Sequence, residues 1–262
     1  MLFGSSRLEI MRIILNGACG RMGREVIAAA KAKEIEVVAA VDRFGGNDFD
    51  IPFYNSIEDV KESADAVIDF TNHTALPEIC AFVRRTGIAC VIASTGHTES
   101  ELAMMKSLSE EHPVFFSRNM SLGINVLIDL CRSAYNALGG DCDIEIIEKH
   151  HRNKLDAPSG TALMIAEGVA ELMPEGTEFV TERASRHAIR PDNEIGISSI
   201  RCGGIFGEHE VLLSRNGETL SIKHVAESRA LFADGALKAA EYISKKDKGL
   251  YSMKELIAEK VR

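Results

Sequence analysis

Residues 11–23 read MRIILNGACGRMG, and the fold of the N-terminal half turns on them. Residues 11–16 are a short apolar run with the character of a buried strand. Glycine follows at every third position: Gly17, Gly20 and Gly23. Met22, Val26, Ala29 and Ala30 then recur at helical spacing, and EVVAAV at 36–41 predicts a second strand that ends at Asp42. Strand, glycine turn, helix, strand and acid, in that order, are the parts of a dinucleotide-binding βαβ unit.

Each glycine has a distinct task in such a turn. Gly17 makes the tight bend, Gly20 lets backbone approach a pyrophosphate, and Gly23 lets the helix pack against the strand. The first turn of the helix offers N–H groups and a positive dipole end to phosphates. Gly17, Ala18, Cys19, Gly20, Arg21 and Met22 are therefore the expected cofactor contacts, with a ligand-free βα turn as the alternative. Asp42 lies nineteen residues beyond Gly23, near the spacing expected of a carboxylate on the adenine ribose. Its charge favours NADH, whereas Arg43 is suited to a 2′-phosphate or to stacking on adenine, so NADH and NADPH both remain open. The loops Phe70-Thr71-Asn72-His73 and Ser94-Thr95-Gly96-His97 follow predicted strands. Both loops are candidates to border the nicotinamide half, with Ser94 and Thr95 as the expected contacts. His73 and His97 are read as polar loop residues.

The alternation continues with strands at 64–70, 88–93 and 113–116 and helices at 74–86 and 99–110, Pro77 falling in a first turn. This predicts an α/β fold with a Rossmann-type doubly wound parallel sheet. The pattern changes after about residue 120. A helix at 124–138, a strand at 144–148 and a helix at 161–173 precede strands of alternating polarity at 195–201, 208–214 and 219–225. Asn216-Gly217 joins the last two as a hairpin turn. Consecutive antiparallel strands predict a second, mixed α+β domain. On the residues alone, the final helices at 229–244 and 252–260 fit either domain.

Composition narrows the function classes. Hydrophobic residues make up 45% of the 262, enough for a sizeable core, and the net charge of −9 disfavours nucleic acid as a partner. Lys245, Lys246 and Lys248 lie beside Asp247 and read as a solvated helix end. No apolar run approaches the length of a membrane span. The six cysteines make no CxxC pair, which suits reduced thiols in the cytoplasm rather than a disulfide framework or zinc site. Residues 1–10 lack the features of a secretory signal; Met11 is an alternative start, with 1–10 as an extension.

The chemistry concentrates at Glu148-Lys149-His150-His151-Arg152-Asn153-Lys154-Leu155-Asp156-Ala157-Pro158-Ser159-Gly160-Thr161-Ala162. Ser159 or Thr161 can cap the helix that follows, leaving N–H groups to hold an anion. Lys154 adds a point charge, and a histidine can donate a proton near neutral pH. The His-His pair has no evident third partner, so no metal is expected. A polar loop ending in an ordinary N-cap is the plainer reading.

The run E-x-H-H-x-x-K-x-D-A-P-S-G-T-A resembles the signature of the bacterial dihydrodipicolinate reductase (4-hydroxy-tetrahydrodipicolinate reductase) family. The likeness extends to Gly17–Gly23, to Asp69-Phe70-Thr71, to Asn119-Met120-Ser121-Leu122-Gly123, to the stretch from Arg201 to Glu210, and to Ser228-Arg229 with Phe232-Ala233. There are departures. Ala93 stands where the family usually has glycine, Arg118 where a small residue is common, and Asp42 where many members carry Glu.

The resemblance implies NAD(P)H-dependent reduction of a cyclic dicarboxylate on the diaminopimelate and lysine route. It implies His150 as general acid, with Lys154 beside it in catalysis. His151, Gly160 and Thr161 become substrate contacts, and Arg118 and Met120 further cofactor contacts. It also implies a cofactor domain of 11–120 with 230–262, and a substrate and tetramerisation domain of 121–229. The two would close about hinges near 120–123 and 228–229, in a homotetramer. Rival readings are another two-domain dehydrogenase and a non-catalytic NAD(H) sensor. The first, as a semialdehyde dehydrogenase, lacks a histidine partner for Cys131 or Cys142. The second lacks a DNA-binding module.

Overall fold

The computed structural model describes residues 10–46 and 48–260, so residues 1–9, on which the alternative start turns, lie outside it. The described chain divides into two compact units, one of residues up to Met120 together with those from Arg229, the other Ser121–Ser228.

The first unit is a seven-stranded sheet. Its strands are β1 (Arg12–Asn16), β2 (Glu36–Val41), β3 (Phe53–Tyr54), β4 (Ala66–Asp69), β5 (Ala89–Ile92), β6 (Pro113–Phe116) and, late in the chain, β12 (Gly249–Tyr251). The order is β12-β6-β5-β4-β1-β2-β3, and every pairing is parallel. Strands buried on both faces need no alternation of polarity, which is why Ile13, Ile14, Leu15, Ala66, Val67 and Ile68 run as continuous apolar segments. One face packs on α2 (Leu76–Thr86) and α3 (Glu99–Ser109), through Ile79, Phe82, Val83, Met105 and Leu108. Gly87 in the left-handed region ends α2, and a Thr98–Glu101 capping box starts α3.

The unit also holds α1 (Arg21–Ala32), α6 (Ala230–Ile243) and α7 (Met253–Lys260). The predicted helices 229–244 and 252–260 thus lie with the parallel sheet. The order reverses at β1, with β2 on one side and β4 on the other. Such a switch point opens a crevice beyond the carboxyl ends of the strands.

The second unit has a five-stranded sheet of β7 (Asp143–His150), β8 (Glu178–Val180), β9 (Glu194–Arg201), β10 (Gly207–Arg215) and β11 (Glu218–Ala226), packed on α4 (Leu122–Ala137) and α5 (Gly160–Ala170). Inward positions alternate along β7 and β10. Ile144, Ile146, Val211 and Leu213 join Leu127, Cys131, Ile165 and Val169 in one core. Asn216 and Gly217 both have positive φ, 47° and 82°, as a two-residue primed turn requires.

The order β11-β10-β7-β9-β8 corrects one expectation. β9 and β10 are not neighbours: β7 lies between them, parallel to β9 and antiparallel to β10. Alternating polarity fixes the faces of a strand but not its partners. The short link through Cys202 to Phe206 is long enough to step past one strand. The strands β3, β8 and β12 were not expected.

Candidate active site

At the head of the first unit, Gly17 has φ of +88°, and Gly17 and Ala18 donate their N–H groups to the Val41 carbonyl at 2.8 and 3.0 Å. These bonds tie the turn to the end of β2. Gly23 cannot be larger, since an added Cβ would lie 2.2 Å from the Gly17 carbonyl oxygen and 2.5 Å from that of Ala18. The N-cap of α1 is Gly20, which has no side chain to satisfy the first-turn N–H groups, and those groups suit an anion. The Asp42 carboxylate accepts from Cys19 N at 2.9 Å and Phe44 N at 3.0 Å. It is thereby held at the rim of the turn.

A cavity of about 340 Å³ lies at this switch point, within the range of small-molecule sites. Gly17, Gly20, Asp42 and Arg43 line it, with Phe70, Thr71 and Asn72 from a loop expected to border the cofactor, and with Asn16, Ile57 and Glu78, which the sequence did not single out for this role. Arg43 pairs with Glu78 at 2.6 Å. Of the other expected contacts, Ala18 is fully buried in the turn, while Arg21 and Met22 open α1. Ser94 and Thr95 follow β5, and Arg118 and Met120 follow β6, outside the lining of the cavity.

Beneath the cavity sits a polar network. Asp69, at the end of β4 and 2% exposed, accepts from Asn16 Nδ2 at 2.9 Å, Thr71 Oγ1 at 2.6 Å and Ser94 Oγ at 3.0 Å. It joins the ends of β1, β4 and β5. Burial pushes its carboxyl pKa up, against those donors. His97 is buried against Ser94, and its pKa is pushed down by burial. His73 bonds Glu101 at 2.8 Å.

In the second unit, the strand period places Glu148 and His150 on the inward face of β7. Glu148 is fully buried. Its Oε2 meets His150 Nδ1 at 2.5 Å and Arg201 Nη1 at 2.8 Å; its Oε1 meets Arg201 Nη2 at 2.7 Å and Ser159 N at 3.1 Å. Burial pushes the Glu148 carboxyl up, but the Arg201, Ser199 and His150 donors outweigh it and hold the group at about 2. His150 is pushed down, chiefly by burial, with Glu148 opposing and Lys154 and Arg201 reinforcing.

Ser159, not Thr161, caps α5: its Oγ accepts from Ala162 N at 3.1 Å. That hydroxyl also meets His209 Nε2 at 3.1 Å, and the His209 ring stands edge-on to His150 with centroids 5.2 Å apart. Burial drives His209 down to about 3, so it is neutral at physiological pH. Lys154 pairs with Asp156 at 2.8 Å, and Arg201 Nη2 holds the Asp156 carbonyl at 2.6 Å. His151 is half-buried, and Gly160 is exposed at the helix start. The cluster of Glu148, His150, Lys154 and Ser159 thus lies with the start of α5, which carries Gly160 and Thr161. Arg201 and His209 were read only as letters of a motif. Among the described residues, no three His, Cys, Asp or Glu side chains converge as metal ligands, and no helix is long and apolar enough to cross a membrane.

Two family models cover almost the whole chain. Residues 11–120 match the N-terminal domain of dihydrodipicolinate reductase, and residues 123–257 match its C-terminal domain. The chain belongs to the dihydrodipicolinate reductase family. The 4-hydroxy-tetrahydrodipicolinate reductase of Caldanaerobacter subterraneus subsp. tengcongensis is 47% identical over 251 residues, which cover 95% of this chain and 98% of that one. The enzyme of the same name from Clostridium tetani is 40% identical, covering 93% and 96%. In fold, the chain is similar to the dipicolinate-bound dihydrodipicolinate reductase of Paenisporosarcina sp. TG-14, at a TM-score of 0.78 and 23% identity, covering 93% of this chain and 97% of that one. As a member of the family, this chain is an oxidoreductase that reduces 4-hydroxy-tetrahydrodipicolinate on the diaminopimelate and lysine route, and it uses a nicotinamide cofactor. The glycine turn, the uncapped helix start and the rim carboxylate fit that cofactor.

Proposed function

We propose that the first unit holds the nicotinamide dinucleotide and the second holds a cyclic dicarboxylate, with His150 as the general acid of the reduction. The observation that carries this reading is the grouping, at the end of β7, of an inward histidine, a lysine and a helix start. The dipicolinate bound to the Paenisporosarcina protein is an aromatic dicarboxylate and supports a dicarboxylate here. When bound, the reduced cofactor supplies the hydride. This chain's residues supply the rest. Lys154 and the N–H groups of Gly160 and Thr161 hold the carboxylates, His151 completes the pocket, and the Lys154 charge steadies negative charge that develops on the ring. His150 gives up the proton that completes the reduction as electron density moves through the conjugated system towards nitrogen.

Gly17, Ala18, Cys19, Gly20, Arg21 and Met22 then hold the pyrophosphate, and Asp42 the adenine ribose. Ser94, Thr95, Arg118 and Met120 border the nicotinamide half. The cofactor is NADH in preference to NADPH. Asp42 repels a 2′-phosphate, and Arg43, the residue that would welcome one, is engaged by Glu78. The enzyme acts in the cytoplasm, a reducing compartment that suits its six free cysteines. It works as a homotetramer, for which the exposed apolar residues Ile200, Leu220 and Val225 on β9 and β11 are the available support.

Purified protein is expected to oxidise NADH only when the product of dihydrodipicolinate synthase is supplied. Oxidation with that compound withheld, or none with it present, defeats the reading. His150→Gln should keep NADH affinity and lose about 100-fold or more in kcat. Glu78→Gln, which frees Arg43, should lower the KM for NADPH a few-fold and leave that for NADH unchanged; equal shifts for both cofactors would remove the pair from specificity.

A further inference from the structure

We propose that Glu148 is a positioning residue for the reduction, fixing the tautomer and direction of the His150 ring so that Nε2 is the nitrogen that surrenders the proton. The inference rests on the reading of His150 as proton donor.

Donors crowd both oxygens of Glu148: four contacts lie at hydrogen-bond distance, and the Ser199 hydroxyl, on its register partner in β9, adds a further hydrogen bond that lowers its pKa. Here Oε2 takes His150 Nδ1 and Arg201 Nη1, and Oε1 takes Arg201 Nη2 and Ser159 N. The Arg201 guanidinium, always a cation, grips both oxygens, and that charge keeps the carboxylate ionised. An ionised carboxylate can only accept, so the proton between it and His150 belongs to Nδ1. A neutral His150 is therefore the Nδ1–H tautomer, with Nε2 bare. A protonated His150 carries its transferable proton on Nε2.

The surroundings of Nε2 agree. An added Cβ at Gly207 would lie only 3.2 Å from it, so the missing side chain there keeps this nitrogen clear. The charged and titratable groups around the ring are Glu148 on its own strand, Arg201 on β9, His209 on β10 and Lys154 in the following loop. Strand register assembles them: Arg201 is the β9 partner of His150, and His209 the β10 partner of Glu148. Of these groups, Glu148 is the one anion, and it favours the imidazolium that an acid must be. Through Ser159 N the same carboxylate grips the N-cap of α5, so the proton donor and the start of the anion-holding helix share one anchor. A buried ion pair by itself is a weak source of stability, since well-packed apolar groups can match it. Placement beside a proton donor gives this one a use in the chemistry.

Nitrogen NMR of the wild-type enzyme, carrying isotope-labelled histidine and assigned with His150→Gln, reads the tautomer without altering Glu148. The neutral His150 should be protonated at Nδ1. A neutral ring protonated mainly at Nε2 overturns the proposal, and this arm decides the matter even if Glu148 variants fail to fold. In a folded Glu148→Gln enzyme, kcat should fall about 10- to 100-fold with NADH affinity unchanged. The alkaline limb of its kcat profile should move to lower pH, because Lys154 and Arg201 then act on the ring unopposed. Glu148→Asp should recover part of the loss.

In a His150→Gln background, Glu148→Gln should cost little more; an equal further loss there means that Glu148 acts elsewhere, and overturns the proposal. Unchanged turnover in His150→Gln alone defeats the acid reading instead, and so separates the two failures.

Discussion

Asp69 and Glu148 are both carboxylates buried at or near the carboxyl end of a strand, one in each unit, and they settle into opposite charge preferences. Asp69 is held by an amide and two hydroxyls, all neutral, and burial pushes its pKa up. Glu148 is likewise closed off from solvent, but a guanidinium grips both of its oxygens, and its pKa falls to about 2. Depth alone does not decide whether a carboxyl keeps its proton; the charge on its donors does. The neutral network ties together three strand ends under a cofactor cavity. The charged one stands beside a proton donor.

The contrast breaks most visibly at Glu148. Glu148→Ala leaves the half-buried Arg201 guanidinium with only the Asp156 and Ile200 carbonyls and should cost about 1–3 kcal/mol of unfolding free energy, measured by denaturant titration. A cost below about 1 kcal/mol would mean that Arg201 finds another partner or water, and the two sites would no longer differ in kind. The pH dependence sharpens the comparison further, because the signs oppose. Glu148, depressed on folding, contributes stability that is complete above its unfolded value near 4.5 and lost as pH falls towards about 2. Asp69, raised on folding, contributes stability that is complete below 3.8 and lost as pH rises through its folded value.

The smallest effect is therefore expected from Asp69→Asn, which should stay within about 1 kcal/mol of wild type at neutral pH, since the Ser94 hydroxyl can turn to accept from the new amide. Its standing relative to wild type should improve from acid to neutral pH. Thermal unfolding across that range checks it, and a steady worsening would assign Asp69 to the class of Glu148.

Much of the first unit was legible because its signals are local. Three glycines at fixed spacing, an acid after the second strand and repeated strand–helix alternation all lie within short windows. The hairpin at Asn216-Gly217 was legible for the same reason. The short strands β3, β8 and β12 were not, because two or three residues carry no period. β7 came to rest between β9 and β10 for a reason no window contains: pairing depends on which edges remain when the whole sheet assembles. The same holds for the site. His150, Lys154 and the helix cap share one motif, whereas Arg201 reaches Glu148 from 53 residues away and Ser159 meets His209 across 50. Register, which those contacts follow, is invisible until the strands are paired.

The return of the chain to its first unit has a bearing on its birth. The alanine-rich buried face of α6, with Ala233, Ala236, Ala239 and Ala240, packs against β4, β5 and β6, and β12 pairs with β6. A ribosome reading from the amino end delivers β6 well over a hundred residues before it delivers α6 and β12. The nascent parallel sheet must therefore wait, with part of its apolar surface bare, while the intervening unit is synthesised. That interval is when the protein most needs a chaperone, and slow codons placed between the two would lengthen its exposure.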